Sequence, residues 1–131
     1  MSVLKALLAI IIIITIGFGI YYLYLMFIRK HSATLIGSAE LNDNIRRKQV
    51  IDVREAVEYD AKHILGARNL PYSQFKVRYQ ELRKDQPIYL YDQNMNFAAR
   101  AAHILKKSGY KDIYILKGGI DAWLGRTKSN V

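Results

Sequence analysis

Hydrophobic and polar positions divide this chain into two unequal parts. From Ala6 to Ile28 run 23 consecutive residues without a charge, most of them Ile, Leu and Phe. At ~1.5 Å of helical rise per residue such a run reaches ~34 Å, enough to cross the hydrocarbon core of a bilayer. Thr15, Gly17 and Gly19 are tolerated in such a helix, and Tyr21, Tyr22 and Tyr24 cluster towards its far end. There, rings that are apolar with a polar tip settle at the headgroup level. The run is longer than the apolar region of a cleaved signal peptide, about 7 to 15 residues, so a membrane anchor over residues 1–31 is the favoured reading.

Beyond residue 31 the apolar runs become short and alternate with amphipathic stretches. Thr34 to Ile36 predicts an edge strand, and Ser38 caps a predicted helix to Arg47 whose inner face carries Ala39, Leu41 and Ile45. Val50 to Val53 predicts a strand, Glu55 to Lys62 a polar helix, Gly66 a turn, and Asn69 with Leu70 a short extended piece. Pro71 and Ser73 introduce a helix from Gln74 to Arg83, and Ile88 to Tyr91 reads as a buried strand. A helix from Phe97 to Ser108 carries apolar positions at Phe97, Ala98, Ala101, Ile104 and Leu105, with Gly109 as its left-handed stop. Ile113 to Leu116 predicts the last strand, and Gly118 and Gly119 open a final helix bearing Ala122, Trp123 and Leu124. Strands alternating with helices predict an α/β fold, a mostly parallel central sheet flanked by helices and preceded by one transmembrane helix.

Length and charge narrow the function classes. Of the 131 residues, the 100 after the anchor suffice for one compact domain, assigned to 32–126 with a C-terminal tail at 127–131. Zero cysteines exclude disulfides, thiolate metal sites, a persulfide carrier and a thiol redox switch. Net charge is +9; without Lys5, Arg29 and Lys30 the domain keeps 17 basic against 11 acidic residues, or +6. That suits an anionic partner, but the basic residues are spread from Arg46 to Lys128, a pattern that disfavours specific nucleic-acid binding. Arg29, Lys30 and His31 outweigh Lys5 and the terminal amine, which places the domain on the cytoplasmic side of the cell membrane in a single-pass arrangement.

In open α/β sheets, ligands bind outside the carboxyl ends of the strands. Three such ends are nameable: Arg54, the loop Asp92, Gln93, Asn94, Met95, Asn96 and Phe97, and the turn Lys117, Gly118 and Gly119. The middle loop feeds a helix whose free N–H groups and dipole favour an anion, with Asn96 as its expected cap.

Three stretches carry a resemblance: IDVREAVEYDAKHILGARNLP (Ile51 to Pro71), IYLYDQNMNFAARAAHILKKSGY (Ile88 to Tyr110) and LKGGIDAW (Leu116 to Trp123). In order and spacing they resemble the rhodanese-like domain, a sulfurtransferase module, and the preceding anchor resembles a membrane-tethered bacterial subset of that family. The resemblance implies a cysteine after the strand Ile88 to Tyr91, carrying a persulfide in a ring of loop N–H groups. Asp92 stands at that position, and Phe97 stands where many members have an arginine that binds the anionic substrate. Met26 and Met95 are thioethers and cannot replace the thiolate. A carboxylate at Asp92 is expected to occupy the anion cradle itself and plug the pocket.

Other residues have bland readings. Asp52 and Arg54 tie a strand to a neighbouring helix, with Arg54, Lys117 and Gly118 at the pocket rim. His63 is a hydrogen-bonded turn residue, His103 a solvated one and His31 juxtamembrane, too scattered for a metal site. Trp123 packs the last helix on the sheet, and Arg46, Arg47 and Lys48 form a solvated helix end or touch acidic lipid. These observations predict a catalytically inactive, membrane-tethered module with no cofactor and no catalytic residue. Its contacts are lipid along residues 6–28 and a protein or small anion at the strand ends. A hydrolase using Asp92 and a structural domain lying on anionic lipid are the alternatives.

Overall fold

The computed structural model describes residues 2–131, and of residues 28–32 the backbone alone; the side chains of Arg29, Lys30 and His31, which carry the orientation expectation, lie outside the described residues. The chain divides into two units, 1–31 and 32–131. The first is one helix, α1 (Ser2–Ser32). Over Ser2–Phe27 its mean hydropathy is 2.7, and every side chain is exposed. An apolar helix unburied on all sides is a candidate membrane span or signal sequence.

The second unit is built on five parallel strands: β1 (Thr34–Ile36), β2 (Gln49–Asp52), β4 (Arg68–Asn69), β5 (Ile88–Tyr91) and β6 (Ile113–Leu116), in the order β1-β6-β5-β2-β4. Asp52 of β2 lies opposite Tyr91 of β5, which sets their carboxyl ends level. A two-stranded antiparallel ribbon joins β3 (His63–Ile64) to β7 (Thr127–Lys128). The helices are α2 (Ser38–Asn42), α3 (Ala56–Ala61), α4 (Tyr72–Arg78) and α5 (Asn96–Lys107).

The strands are apolar at successive positions because both faces are covered. Ile51, Ile88, Leu90, Ile113 and Ile115 point to one side and pack with Phe75 of α4 and Ala98, Ala101, Ala102 and Leu105 of α5. Val50, Tyr91 and Leu116 point to the other and meet Leu41, Ile64, Ile120 and Trp123. This two-residue alternation is the pleat itself. Small alanines on the inner face of α5 let that helix lie close to the sheet, and Gly109 stops it at φ 95° as its sequence predicts.

Several predicted boundaries are corrected. The helix expected to Arg47 ends at Asn42, and a separate 3-10 turn covers Ile45–Arg47, because Asn44 takes a left-handed conformation at φ 54°. Ser38 does not cap α2; its hydroxyl accepts the Leu124 N–H at 2.9 Å. The helix expected from Gln74 starts at Tyr72 and gives way to a 3-10 turn at Tyr79–Glu81. Of the apolar positions expected on α5, Phe97 is exposed, whereas Ile104 is half-buried and packs against the core. The final helix is one 3-10 turn, Gly119–Ala122, because Gly118 and Gly119 both sit at positive φ and Trp123 is extended.

Residues 127–131 are no free tail. Thr127 and Lys128 pair with β3, and the Asn130 N–H donates to the Asp60 carbonyl at 2.8 Å. At about 0.5–1.5 kcal/mol net per hydrogen bond, ending the chain after Arg126 is expected to cost about 1–3 kcal/mol. Thermal unfolding of the shortened chain, followed by circular dichroism, measures this.

Candidate functional site

The carboxyl ends of β2 and β5 hold the chemistry-bearing residues. β2 ends in Asp52, fully buried, and the chain turns so that the Arg54 N–H and guanidinium both reach back to it. The Arg54 N–H donates to Asp52 Oδ1 at 2.8 Å, and Nη2 meets Oδ2 at 2.8 Å. Nη2 also donates to the Lys62 carbonyl at 2.5 Å, and Nη1 touches Gln93 Oε1 at 3.5 Å. Burial works against the charged guanidinium, yet the hydrogen bonds and charge of Asp52 outweigh it and raise the Arg54 pKa. Arg54 is therefore no free rim cation. At 8% exposure it is spent on tying β2 to the end of α3, as its bland reading has it.

Tyr91, the last residue of β5, completes this buried cluster. Its hydroxyl accepts the Ile64 N–H at 3.1 Å, and the Arg54 guanidinium lies 5.9 Å from its ring centroid. Burial first, and the negative charge of Asp52 second, push its pKa well above the ordinary tyrosine range. His63 is buried beside it, stacked on Tyr59 at 3.8 Å between centroids, with Nδ1 donating to the Tyr59 carbonyl at 2.7 Å. A carbonyl only accepts, so this bond fixes the Nδ1–H form. His103 is half-buried, and its Nδ1 lies out of solvent, which corrects its reading as a solvated residue.

The loop after β5 closes on Asp92. That side chain is 1% exposed; its Oδ1 accepts the Met95 N–H at 2.5 Å and its Oδ2 the Phe97 N–H at 2.8 Å. α5 starts at Asn96, so Asn96 is its first residue and not its cap; the capping acceptor is Asp92, with Asn94 Oδ1 accepting the Asn96 N–H at 3.3 Å. Met95 takes φ 79°, a left-handed conformation that glycine favours and that costs other residues roughly 1–2 kcal/mol. The carboxylate sits at the positive end of a twelve-residue helix, which adds to its hold.

The turn after β6 presses on this loop from the other side. The Ile120 N–H donates to the Asp92 carbonyl at 2.9 Å, and a Cβ on Gly119 would collide with the backbone carbonyls of Asp92 and Gln93. Gln93 Nε2 donates to Asp121 Oδ1 at 2.6 Å, so one side chain links the loop to this turn and touches Arg54. Lys117 is exposed and Gly118 half-buried. Phe97, 46% exposed, rests 5.2 Å from the Tyr72 ring with the Arg100 guanidinium 5.8 Å above it. Sequence reasoning missed Tyr91, Asp121 and Tyr72. Only Tyr91 carried a signal, as an aromatic residue at the end of a buried strand.

A family model for the rhodanese-like domain matches residues 38–126. The chain belongs to the rhodanese-like family. The Bacillus subtilis (strain 168) protein YqhL is 42% identical over 120 residues, which span 92% of this chain and 95% of that protein. The putative sulfur carrier protein YrkF of the same organism is 30% identical over 86 residues, 66% of this chain but only 46% of that one. Among solved structures, a rhodanese-related protein from Thermoplasma volcanium superposes with a TM-score of 0.64 at 30% identity, covering 70% of this chain and 90% of that one.

This rhodanese-like domain has no thiol to offer, since the chain has no cysteine. Both Asp92 oxygens accept amide N–H groups, and the side chain is 1% exposed. Asp92→Ala and Asp92→Asn each remove at least one acceptor from two loop amides. Hydrogen bonds to charged groups contribute about 1.5–3 kcal/mol each, so both variants are expected to lose about 2–4 kcal/mol of stability. Thermal unfolding measures the loss, and faster hydrogen exchange at the Met95 and Phe97 amides localises it.

Proposed function

We propose that this chain is a membrane-tethered, catalytically inactive rhodanese-like module that recognises a protein or an anion at its strand-end surface. The observation that carries this reading is the Asp92 carboxylate, seated on the loop amides in a chain without cysteine. A carboxylate is a hard oxygen group that cannot be sulfurated, and it takes up donors that would otherwise hold a substrate oxyanion. Phe97 supplies no positive charge for a substrate such as thiosulfate. What projects outward instead is Gln93, Asn94 and the Phe97 ring, all exposed.

The tether reading rests on α1. The 120 residues shared with YqhL exceed the 100 of the second unit, so that likeness extends into the apolar helix. The basic cluster after it favours the cytoplasmic side of the membrane. Tethering raises the module's effective concentration near other membrane proteins.

The full chain, purified in neutral detergent, is expected to convert thiosulfate and cyanide to thiocyanate no faster than buffer alone; measurable turnover overturns the reading. Asp92→Cys alone is expected to remain a poor sulfurtransferase, and adding Phe97→Arg is expected to raise its turnover, as a coupled thiocyanate assay would show. Alkaline carbonate extraction of membranes is expected to leave the chain in the pellet, and its release into the supernatant would sink the tether.

A further inference from the structure

A second concave surface lies away from the Asp92 loop and shares no residue with it. It is a groove of about 380 Å³ between the Ile45–Arg47 turn, the turn at Leu65 and Gly66, and the segment from Trp123 to Arg126. Its apolar lining comes from Ile45, Leu65 and Trp123, and two arginines, Arg46 and Arg126, stand over it. The walls are tied in place. Trp123 Nε1 donates to the Arg126 carbonyl at 3.0 Å, and the Leu65 N–H donates to the same carbonyl at 3.0 Å. The indole also packs so closely on Gly125 that a Cβ there would overlap it. A groove held open by its own hydrogen bonds costs little ordering when a ligand enters.

The charge around it is unmatched. Arg54, Arg78 and Arg83 each pair with a carboxylate of the domain, whereas the side chains of Arg46 and Arg126 are exposed and have no hydrogen-bond or ionic partner among the described residues. None of the groove's lining residues is acidic. Among the lining side chains Leu65 keeps 38% of its surface exposed and Trp123 8%. Apolar surface ringed by unpaired arginines has the composition of a protein-docking patch, in which an aromatic or aliphatic anchor fills a pocket and charges set the register. A small inorganic anion would leave the Trp123 and Leu65 surface unused. A nucleic acid would want a longer basic track than two arginines.

We propose that this groove docks an acidic segment of a partner protein. An aliphatic or aromatic side chain of the partner sits on Leu65 and on the exposed edge of Trp123, whose ring is otherwise buried at 8% exposure, and carboxylates flanking it pair with Arg46 and Arg126. This site is independent of the Asp92 loop, so its failure leaves the reading of that loop untouched.

Trp123 is the one tryptophan of the chain, and it reports on the groove directly. The full chain in dodecyl maltoside micelles is titrated with a fluorescein-labelled Asp-Glu-Leu-Phe-Glu-Asp peptide, beside Lys-Lys-Leu-Phe-Lys-Lys and Asp-Glu-Ser-Ser-Glu-Asp counterparts. The acidic peptide with the apolar centre is expected to raise anisotropy and quench Trp123, and the other two are not. Arg46→Glu and Arg126→Glu are each expected to weaken binding about tenfold or more without changing the thermal melt, since neither side chain bonds within the domain. Equal binding of the three peptides, no binding of the first at millimolar concentration, or indifference to both charge reversals overturns the proposal. A Trp123 response confined to vesicles containing one-third phosphatidylglycerol also overturns it, and assigns the groove to lipid.

Discussion

Two amide N–H groups converging on one carboxylate determine the shape of the strand-end surface. Asp92 follows the last residue of β5, so its backbone is fixed by the sheet; its side chain then dictates where Met95 and Phe97 can lie. Only a tight turn brings both amides to it, and that turn puts Met95 in the left-handed region, where a side chain other than glycine is strained. Charge-assisted bonds of about 1.5–3 kcal/mol each outweigh a strain of roughly 1–2 kcal/mol. The same turn aims the first residues of α5, so Phe97 emerges beside Tyr72 and Arg100 and not in the core. On the opposite side, Gly119 is required because the Asp92 and Gln93 carbonyls leave no room for a Cβ.

Beneath that loop the Asp52–Arg54 pair gives β2 and β5 a rigid common end. Taking two charges out of water is costly, and a buried pair repays it only when every donor and acceptor is satisfied. Here Asp52 takes the guanidinium and the Arg54 N–H, while the spare guanidinium N–H groups go to the Lys62 carbonyl and Gln93. Asn69 seals the adjoining backbone, its Nδ2 donating to the carbonyls of Asp52 and Arg54 at 3.0 and 2.9 Å. Removing one charge would strand the other in a space that also holds the Tyr91 ring. The pair therefore fixes geometry more than it adds stability, and the loop above inherits a foundation with one arrangement.

Elements long enough to show a period were legible in the sequence. β2, β5, β6 and α5 lie within a residue or so of their predicted bounds, because continuous apolar runs and alanines at helical spacing have one packing solution between two covered faces. The carboxylate taking loop amides was expected through the resemblance, which sets Asp92 where the family holds its cysteine in a ring of loop N–H groups. Contacts between distant segments were not. The Ser38 hydroxyl, a fair cap by residue type, is taken by the Leu124 N–H 86 residues away, and β7 forms because β3 presents an open edge to it. Asn44 and the Gly118–Gly119 pair broke predicted helices through left-handed backbone, which hydrophobic period does not report.

Filling the loop with a carboxylate changes which forces recognition can use. A thiolate site acts through one reactive atom that a small anion can reach, with a positive charge to hold it. Here the loop amides already have their anion, and Arg54, the nearest buried cation, already has its carboxylate. The surface that remains offers the Asn94 amide, whose Oδ1 already accepts the Asn96 N–H, the Phe97 ring and the Arg100 guanidinium lying over it, while the Gln93 amide is taken up by Asp121 and Arg54. A small anion gains few simultaneous bonds from such a surface, whereas a protein can cover the ring and pair the guanidinium together. On the proposed reading of the loop as a recognition surface, that difference in contact area weighs towards a macromolecular partner over a free anion.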